Sequence, residues 1–118
     1  MLTNIFLEQV LPPTGQYCVV GLKKDSAPRQ KLVGSIEELE RLGNGLAKDG
    51  YETYFALASY ADPKGGRVTT NAVALKAFFV DLDCGTGKPY ETQEEGLTAL
   101  RAFVKKVGLP KPTVVNSG

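Results

Sequence analysis

The sequence has no histidine and no tryptophan among its 118 residues, and it has only two cysteines. Without histidine, neither a Ser-His-Asp nor a Cys-His catalytic site can form within this chain. The same scarcity excludes a structural zinc site, which needs a full set of nitrogen or sulfur ligands. Cys18 and Cys84 each lie in an apolar or strand-like context, which predicts free thiols rather than a disulfide or a metal pair. A metal bound here would therefore have oxygen ligands.

Long apolar runs are also scarce. The longest covers residues 72–80 and is interrupted by Lys76, which is far below the roughly 20 residues that span a bilayer. We therefore expect no membrane partner. Residues 1–10 lack a basic lead and contain Glu8, which argues against a secretory signal and predicts a cytoplasmic protein.

The overall composition is that of an ordinary globular domain. Hydrophobic residues make up 42% of the chain, and 14 Lys plus Arg face 13 Asp plus Glu. A chain of this length buries well over half of its unfolded surface, and no repeat or low-complexity tract interrupts it. We predict a single domain over residues 1–118. The net charge of +1 provides no general attraction for nucleic acid.

Local signals predict three helices. Residues 35–38 (Ser-Ile-Glu-Glu) and 92–95 (Thr-Gln-Glu-Glu) are both capping boxes. Apolar residues follow each box at helical spacing, and the helices should end at Asp49-Gly50 and at Gly108. A shorter helix is expected over residues 2–10, ended by the following Leu-Pro-Pro because the residue before a proline avoids the helical region.

Strands are predicted over residues 16–23, 51–60 and 75–83, with another beginning at 113–116. Residues 62–66 (Asp-Pro-Lys-Gly-Gly) form a loop by composition. The alternation of strands and helices predicts an α/β or α+β fold in which helices pack on a mixed sheet.

Two acidic residues close the strand predicted over residues 75–83. Asp81 and Asp83 would project from the same face, because strand side chains alternate, at the end where α/β sheets usually bind ligands. The two carboxylates repel unless a cation lies between them. Oxygen ligands favour Mg²⁺ or Mn²⁺, whose remaining ligands are water and substrate phosphates. The pattern favours nucleotide chemistry. The alternative is a non-enzymatic binding module in which the two acids merely end a strand before a Gly-rich turn.

Two other phosphate-related motifs resemble this region. Residues 85–88 (Gly-Thr-Gly-Lys) resemble a phosphate-binding loop, but Leu82 stands at the required earlier glycine and Pro89 follows the lysine, which excludes it. Haloacid-dehalogenase-like phosphatases also have an Asp-x-Asp pair after an apolar strand. In this chain Cys84 intervenes and Gly85 stands where their threonine is expected. A fragment of such a phosphatase is the alternative enzyme class.

The residues on both sides of the acid pair resemble the archaeo-eukaryotic primase superfamily, and in particular the primase-polymerase domains of phages and plasmids. The likeness is carried by residues 78–85 (Phe-Phe-Val-Asp-Leu-Asp-Cys-Gly), 88–90 (Lys-Pro-Tyr) and 109–118, and it covers residues 54–118. It implies a DNA primase or polymerase that performs template-directed nucleotidyl transfer. Asp81 and Asp83 would be its catalytic residues and would bind Mg²⁺ or Mn²⁺.

The resemblance also implies that the chain is the N-terminal portion of an incomplete catalytic domain. The second family motif ends in a histidine that often follows a Ser-Gly pair such as Ser117-Gly118, and the third motif supplies another acid. Neither is present, so the chain alone should be inactive. Arg67, in the family's lead-in to the first motif, and Ser117 and Gly118 are implied to bind nucleotide or phosphate.

Three lysines near the C-terminus, Lys105, Lys106 and Lys111, follow the last acid of the chain, Glu95. They predict either a DNA contact or the solvated end of a helix, where cations offset the helix dipole. The family resemblance further implies nucleoside triphosphates, a DNA template and a primer as partners, together with a helicase domain or replication proteins. The host compartment would be the cytoplasm of a bacterial or phage-infected cell.

Overall fold

The computed structural model describes residues 3–116, and the chain forms two compact units, Met1–Phe78 and Phe79–Gly118. The fold is a small α+β arrangement, which confirms the predicted class. Its described residues form three α-helices and two antiparallel sheets. No helix among residues 3–116 is both long enough and apolar enough to cross a membrane.

The first unit holds two helices and both sheets. The helices are α1 (Asn4–Val10) and α2 (Ile36–Lys48). The larger sheet has the antiparallel order β2-β1-β3 and consists of β1 (Tyr17–Leu22), β2 (Arg29–Val33) and β3 (Glu52–Phe55). The smaller sheet pairs β4 (Ala58–Tyr60) with β5 (Ala72–Leu75), which is also antiparallel.

Both helices begin at hydroxyl caps. The Thr3 side chain accepts a hydrogen bond from the backbone N–H of Phe6, and the Ser35 side chain accepts one from Glu38. Such caps satisfy backbone donors that have no partner within the helix. The predicted cap at Ser35 is therefore confirmed, and the helix predicted over residues 2–10 corresponds to α1, which begins at Asn4.

The core lies on one face of the larger sheet. Strand β1 places Val19 opposite Phe55 of β3, and directly opposed residues of an antiparallel pair share a face. This face packs against both helices. The cluster comprises Leu7, Leu11, Tyr17, Val19, Val33 and Leu39, none of them more than 3% exposed. Burial of these side chains is the main stabilising term of the unit.

Several strand predictions were wrong in their bounds or partners. The predicted strand over residues 51–60 is divided into β3, which pairs with β1, and β4, which pairs with β5. Strand β2 was not predicted, because its first three residues are polar and exposed and only Val33 is buried. Alternating hydrophobic residues identify a strand that has one buried face. A strand such as β2, which buries few side chains and joins the sheet mainly through backbone hydrogen bonds, lacks this pattern.

The strands predicted over residues 75–83 and 113–116 are also wrong. The first is replaced by β5, which ends at Leu75, and residues 76–83 and 113–116 belong to no strand of the described chain. A β-strand requires a neighbouring strand for its backbone hydrogen bonds, and neither segment has one within residues 3–116. Their apolar side chains are accordingly exposed, for example Phe79 at 65% and Val115 at 67%.

The second unit is built around α3 (Gln93–Val107). The Thr92 side chain accepts from the backbone N–H of Glu95, and Gly108 ends the helix in the left-handed region at φ 74°, with its own N–H donating to Val104 O. This conformation favours glycine. The predicted helix, its cap and its end are all confirmed.

Candidate functional site

A cleft of about 450 Å³ lies within the second unit. Its lining includes the acidic residues Asp81, Asp83 and Glu91, the amide residues Gln93 and Asn116, and apolar residues from α3 such as Leu97. The structure therefore brings the two predicted acids to the same cleft. It does so without the strand that was expected to carry them.

Asp81 and Asp83 are exposed, whereas the intervening Leu82 and the following Cys84 are half-buried. Leu82 and Cys84 pack against Gly96 in the first turns of α3: a Cβ at Gly96 would lie 2.9 Å from Cys84 Sγ and 3.8 Å from Leu82 Cδ1. The apolar members of this segment thus contact the helix, and the acidic members face solvent. The contact with Gly96 depends on the absence of a side chain there.

One cation lies beside the acid pair. Lys88 Nζ is 3.5 Å from Asp83 Oδ2, and both side chains are more than half exposed. An exposed ion pair of this kind contributes about 0–1 kcal/mol to stability. The Asp83 carboxylate can therefore exchange the lysine for another cation at little cost. Lys88 belongs to the Gly-Thr-Gly-Lys segment that fails as a phosphate-binding loop.

Backbone hydrogen bonds hold the turn that carries Lys88. Gly85 N–H donates to Tyr90 O at 2.8 Å, and Lys88 N–H donates to Gly85 O at 3.1 Å. Next to the turn, the Glu95 carboxylate accepts from the backbone N–H of Glu91 at 3.0 Å. These bonds fix the turn against the N-terminal end of α3.

A pair of amides forms another part of the cleft lining. Gln93 Nε2 donates to Asn116 Oδ1 at 3.0 Å, and Asn116 Nδ2 donates to Gln93 Oε1 at 3.3 Å. The reciprocal bonds link α3 to the segment 113–116. Neither this pair nor the contact of Lys88 with Asp83 was predicted, because neither has a local sequence signature.

The donor set suits one mode of metal binding. Among residues 3–116, no three His, Cys, Asp or Glu side chains are grouped so that they could enclose a metal ion. Mg²⁺, however, is commonly bound by one or two carboxylates together with water and substrate phosphates. Asp81 and Asp83, exposed on a cleft, fit this second mode.

Arg67 lies in the first unit, on a loop organised by Asn71. The buried Asn71 side chain donates to Asp62 O at 3.0 Å and to Gly66 O at 2.9 Å, and it accepts from the backbone N–H of Asp62 at 2.9 Å. The exposed Arg67 side chain donates its Nε–H to Gln30 Oε1 at 3.2 Å. Arg67, which was predicted to bind phosphate, therefore lies on a closed loop, meaning the segment 62–71 whose ends are joined by the hydrogen bonds of Asn71.

The Arg67 guanidinium also acts electrostatically on Cys18 of β1. Burial raises the pKa of the Cys18 thiol, and the positive charge of Arg67 lowers it by a smaller amount. The thiol is therefore neutral near pH 7. Cys18 and Cys84 are both free, as predicted from their surroundings.

Three predicted lysines, Lys105, Lys106 and Lys111, are not part of the cleft lining. Lys105 and Lys106 are exposed in the last turn of α3, and Lys111 is exposed beyond it. The helix-end interpretation accounts for the first two. Ser117 and Gly118 lie outside the described residues.

Comparison with known proteins found no matching family model, no similar curated protein and no similar solved structure. The functional assignment therefore depends on the residues and geometry of the chain itself.

Proposed function

We propose that the chain is the N-terminal part of a primase-polymerase catalytic domain, in which Asp81 and Asp83 bind Mg²⁺ or Mn²⁺ together with a nucleoside triphosphate. The observation that carries the proposal is that Asp81 and Asp83 both line one cleft of about 450 Å³. This volume is within the range of about 300–1,000 Å³ that is typical of small-molecule sites. The sequence around the acids supplies the family resemblance.

The chain's own residues would bind and orient the substrate. The acid pair provides the negative charge that attracts divalent cations, and Lys88 provides a donor next to Asp83 for a phosphate oxygen. The apolar side chains of Leu97 and Leu100 line the other part of the cleft. When bound, the metal ions would lower the pKa of the attacking 3′-oxygen and offset charge at phosphorus.

On this proposal the 118 residues bind nucleotide but do not polymerise it. The resemblance assigns a phosphate-binding histidine and a further acid to later motifs of a parent protein. Removing members of a catalytic unit typically costs several orders of magnitude in rate. A longer chain with those motifs should extend a primer on a DNA template, and its Asp81→Ala variant should not. Full activity in that variant would refute the assignment.

Calorimetry with Mn²⁺ and a nucleoside triphosphate tests the site in the chain as it stands. We expect binding that requires Mn²⁺ and weakens at least tenfold in Asp81→Asn and in Asp83→Asn. Asp62→Asn is the matched control, because it makes the same chemical change in the other unit and keeps the oxygen that accepts from Lys64 N–H. Equal binding by all four proteins, or no Mn²⁺-dependent binding in any, would refute the site and favour a non-enzymatic binding module.

A further inference from the structure

The larger sheet has a second face, opposite the one that packs against α1 and α2. Val20 of β1 is directly opposite Gln30 of β2 and directly opposite Tyr54 of β3. These three side chains therefore form a row across the sheet on that second face. Gln30 and Tyr54 are exposed and Val20 is half-buried. We call this row with Arg67, which bonds Gln30, the open face.

Arg67 places a positive charge at one end of the open face. Its Nε–H is the group that donates to Gln30, and within residues 3–116 the guanidinium has no other hydrogen-bond partner. The two terminal amino groups of the guanidinium are therefore available to donate hydrogen bonds to phosphate oxygens. The loop bonds of Asn71 hold the backbone on which Arg67 is mounted, so little ordering of this segment is needed when a ligand binds.

Tyr54 places an aromatic ring at the other end. Its side chain is 49% exposed, and its hydroxyl donates to Glu52 Oε2 at 3.1 Å. This bond restricts the orientation of the ring and leaves its surface accessible for stacking. The negative charge on this part of the sheet comes from Glu52. Its carboxylate accepts the hydrogen bond from the Tyr54 hydroxyl and lies at the far end of the row from Arg67.

The spacing suits a nucleotide chain. Neighbouring strands are about 4.8 Å apart, so β2 and β3 are separated by about 10 Å. That distance allows a phosphate at Arg67 and a base on Tyr54 to belong to the same short stretch of backbone. Aromatic rings beside a cation are the usual means of binding single strands, whose bases are free to stack. Bases in a duplex are already stacked and paired.

We propose that the open face binds single-stranded nucleic acid, with a phosphate on Arg67 and a base stacked on Tyr54. The proposal shares a nucleic-acid partner with the proposed function but uses none of the residues of the acidic cleft. The two can therefore fail separately.

Fluorescence anisotropy of a labelled oligo-dT with the 118-residue chain tests the phosphate contact. For Arg67→Ala we expect weaker binding and a log–log salt dependence whose slope falls by about 0.7, the value for one phosphate contact on a single strand. Arg29→Ala is the matched control. It removes an equal charge one residue from Gln30, on the opposite face, where the guanidinium lies 4.9 Å from the Tyr51 ring centroid. Its slope should be unchanged.

The same assay tests the stacking contact. Tyr54→Leu should weaken binding at least about fivefold, since stacking on one aromatic side chain contributes about 1–3 kcal/mol. Tyr54→Phe keeps the ring and should bind within about twofold of the unaltered chain. Circular dichroism would confirm that each variant is folded. Equal salt slopes for Arg67→Ala and Arg29→Ala, unchanged affinity in Tyr54→Leu, equal affinity for a duplex, or no binding at all would overturn the proposal.

Discussion

Gly96 allows the acid-bearing segment to pack against α3, and replacing it with alanine should disrupt that contact. The added Cβ would lie 2.9 Å from Cys84 Sγ, closer than packed carbon and sulfur atoms approach. Either Cys84 or the first turn of the helix must then move. Because Asp83 precedes Cys84 directly, movement of the cysteine also displaces a residue of the candidate metal site.

A second helical glycine gives the reference for the size of the effect. In an unobstructed helix, Gly→Ala stabilises by about 0.8–1.0 kcal/mol. Gly45 of α2 has no atom within 4 Å of the position that a Cβ would take, so Gly45→Ala should show this gain. Gly96→Ala has the same gain but also an overpacking cost of about 1–3 kcal/mol. The two variants should therefore differ by about 1–3 kcal/mol.

Native-state hydrogen exchange measures each helix by its own amides, which suits a chain of two compact units. We expect the amides of α2 to exchange more slowly in Gly45→Ala and those of α3 to exchange faster in Gly96→Ala. In a Cys84→Ala background the obstructing sulfur is gone, and Gly96→Ala should then stabilise α3. If Gly96→Ala stabilises α3 while Cys84 is present, the packing argument is refuted.

Three further predictions concern stability. Asn71→Ala removes three hydrogen bonds of a buried amide and should lower the free energy of unfolding by about 2 kcal/mol or more. Urea unfolding measures this change, and a loss below about 0.5 kcal/mol would contradict the prediction. Thr92→Ala removes the N-terminal cap of α3 and should lower the stability of the helix by about 1 kcal/mol. The α3 amides should then exchange faster with solvent, and unchanged exchange rates would contradict a stabilising cap. Burial, followed by the charge of Glu37, raises the pKa of Tyr17 above its ordinary value of 10.0. The unfolded chain therefore loses this proton first, and stability should fall as the pH rises through about 10; urea midpoints should fall less steeply in Tyr17→Phe, and identical slopes would refute this cause.

The helices were predictable from sequence because their signals are local. Ser35 and Thr92 bond to backbone groups three residues away, and the left-handed Gly108 ends α3 within the same short stretch. Strand pairing is decided by distant residues. The apolar alternation at residues 78–82 resembles a strand, but no sequence pattern specifies which segment would pair with it.

The same distinction applies to the candidate site. The acids Asp81 and Asp83 were found from their spacing and apolar neighbours, and both line the cleft. The amide pair that links two sides of the cleft was not predicted, because Gln93 and Asn116 are 23 residues apart in the chain. Arg67 was named from its neighbours, but its contact with Gln30 spans 37 residues and depends on the missed strand β2.

The closed loop around Asn71 sets which changes this part of the protein can tolerate. A side chain at Gly65 would lie 2.6 Å from the Asn71 amide, and the amide bonds both Asp62 and Gly66. Substitutions of the exposed Pro63, Lys64 or Val68 leave these contacts intact. In a mutational scan, residues 62–71 should therefore show three intolerant positions among permissive neighbours: Gly65, Asn71 and Gly66, whose left-handed φ of 72° favours glycine. Insertions between residues 62 and 66 should destabilise the loop, because the Asn71 amide bonds both Asp62 O and Gly66 O and a longer turn could not keep both hydrogen bonds.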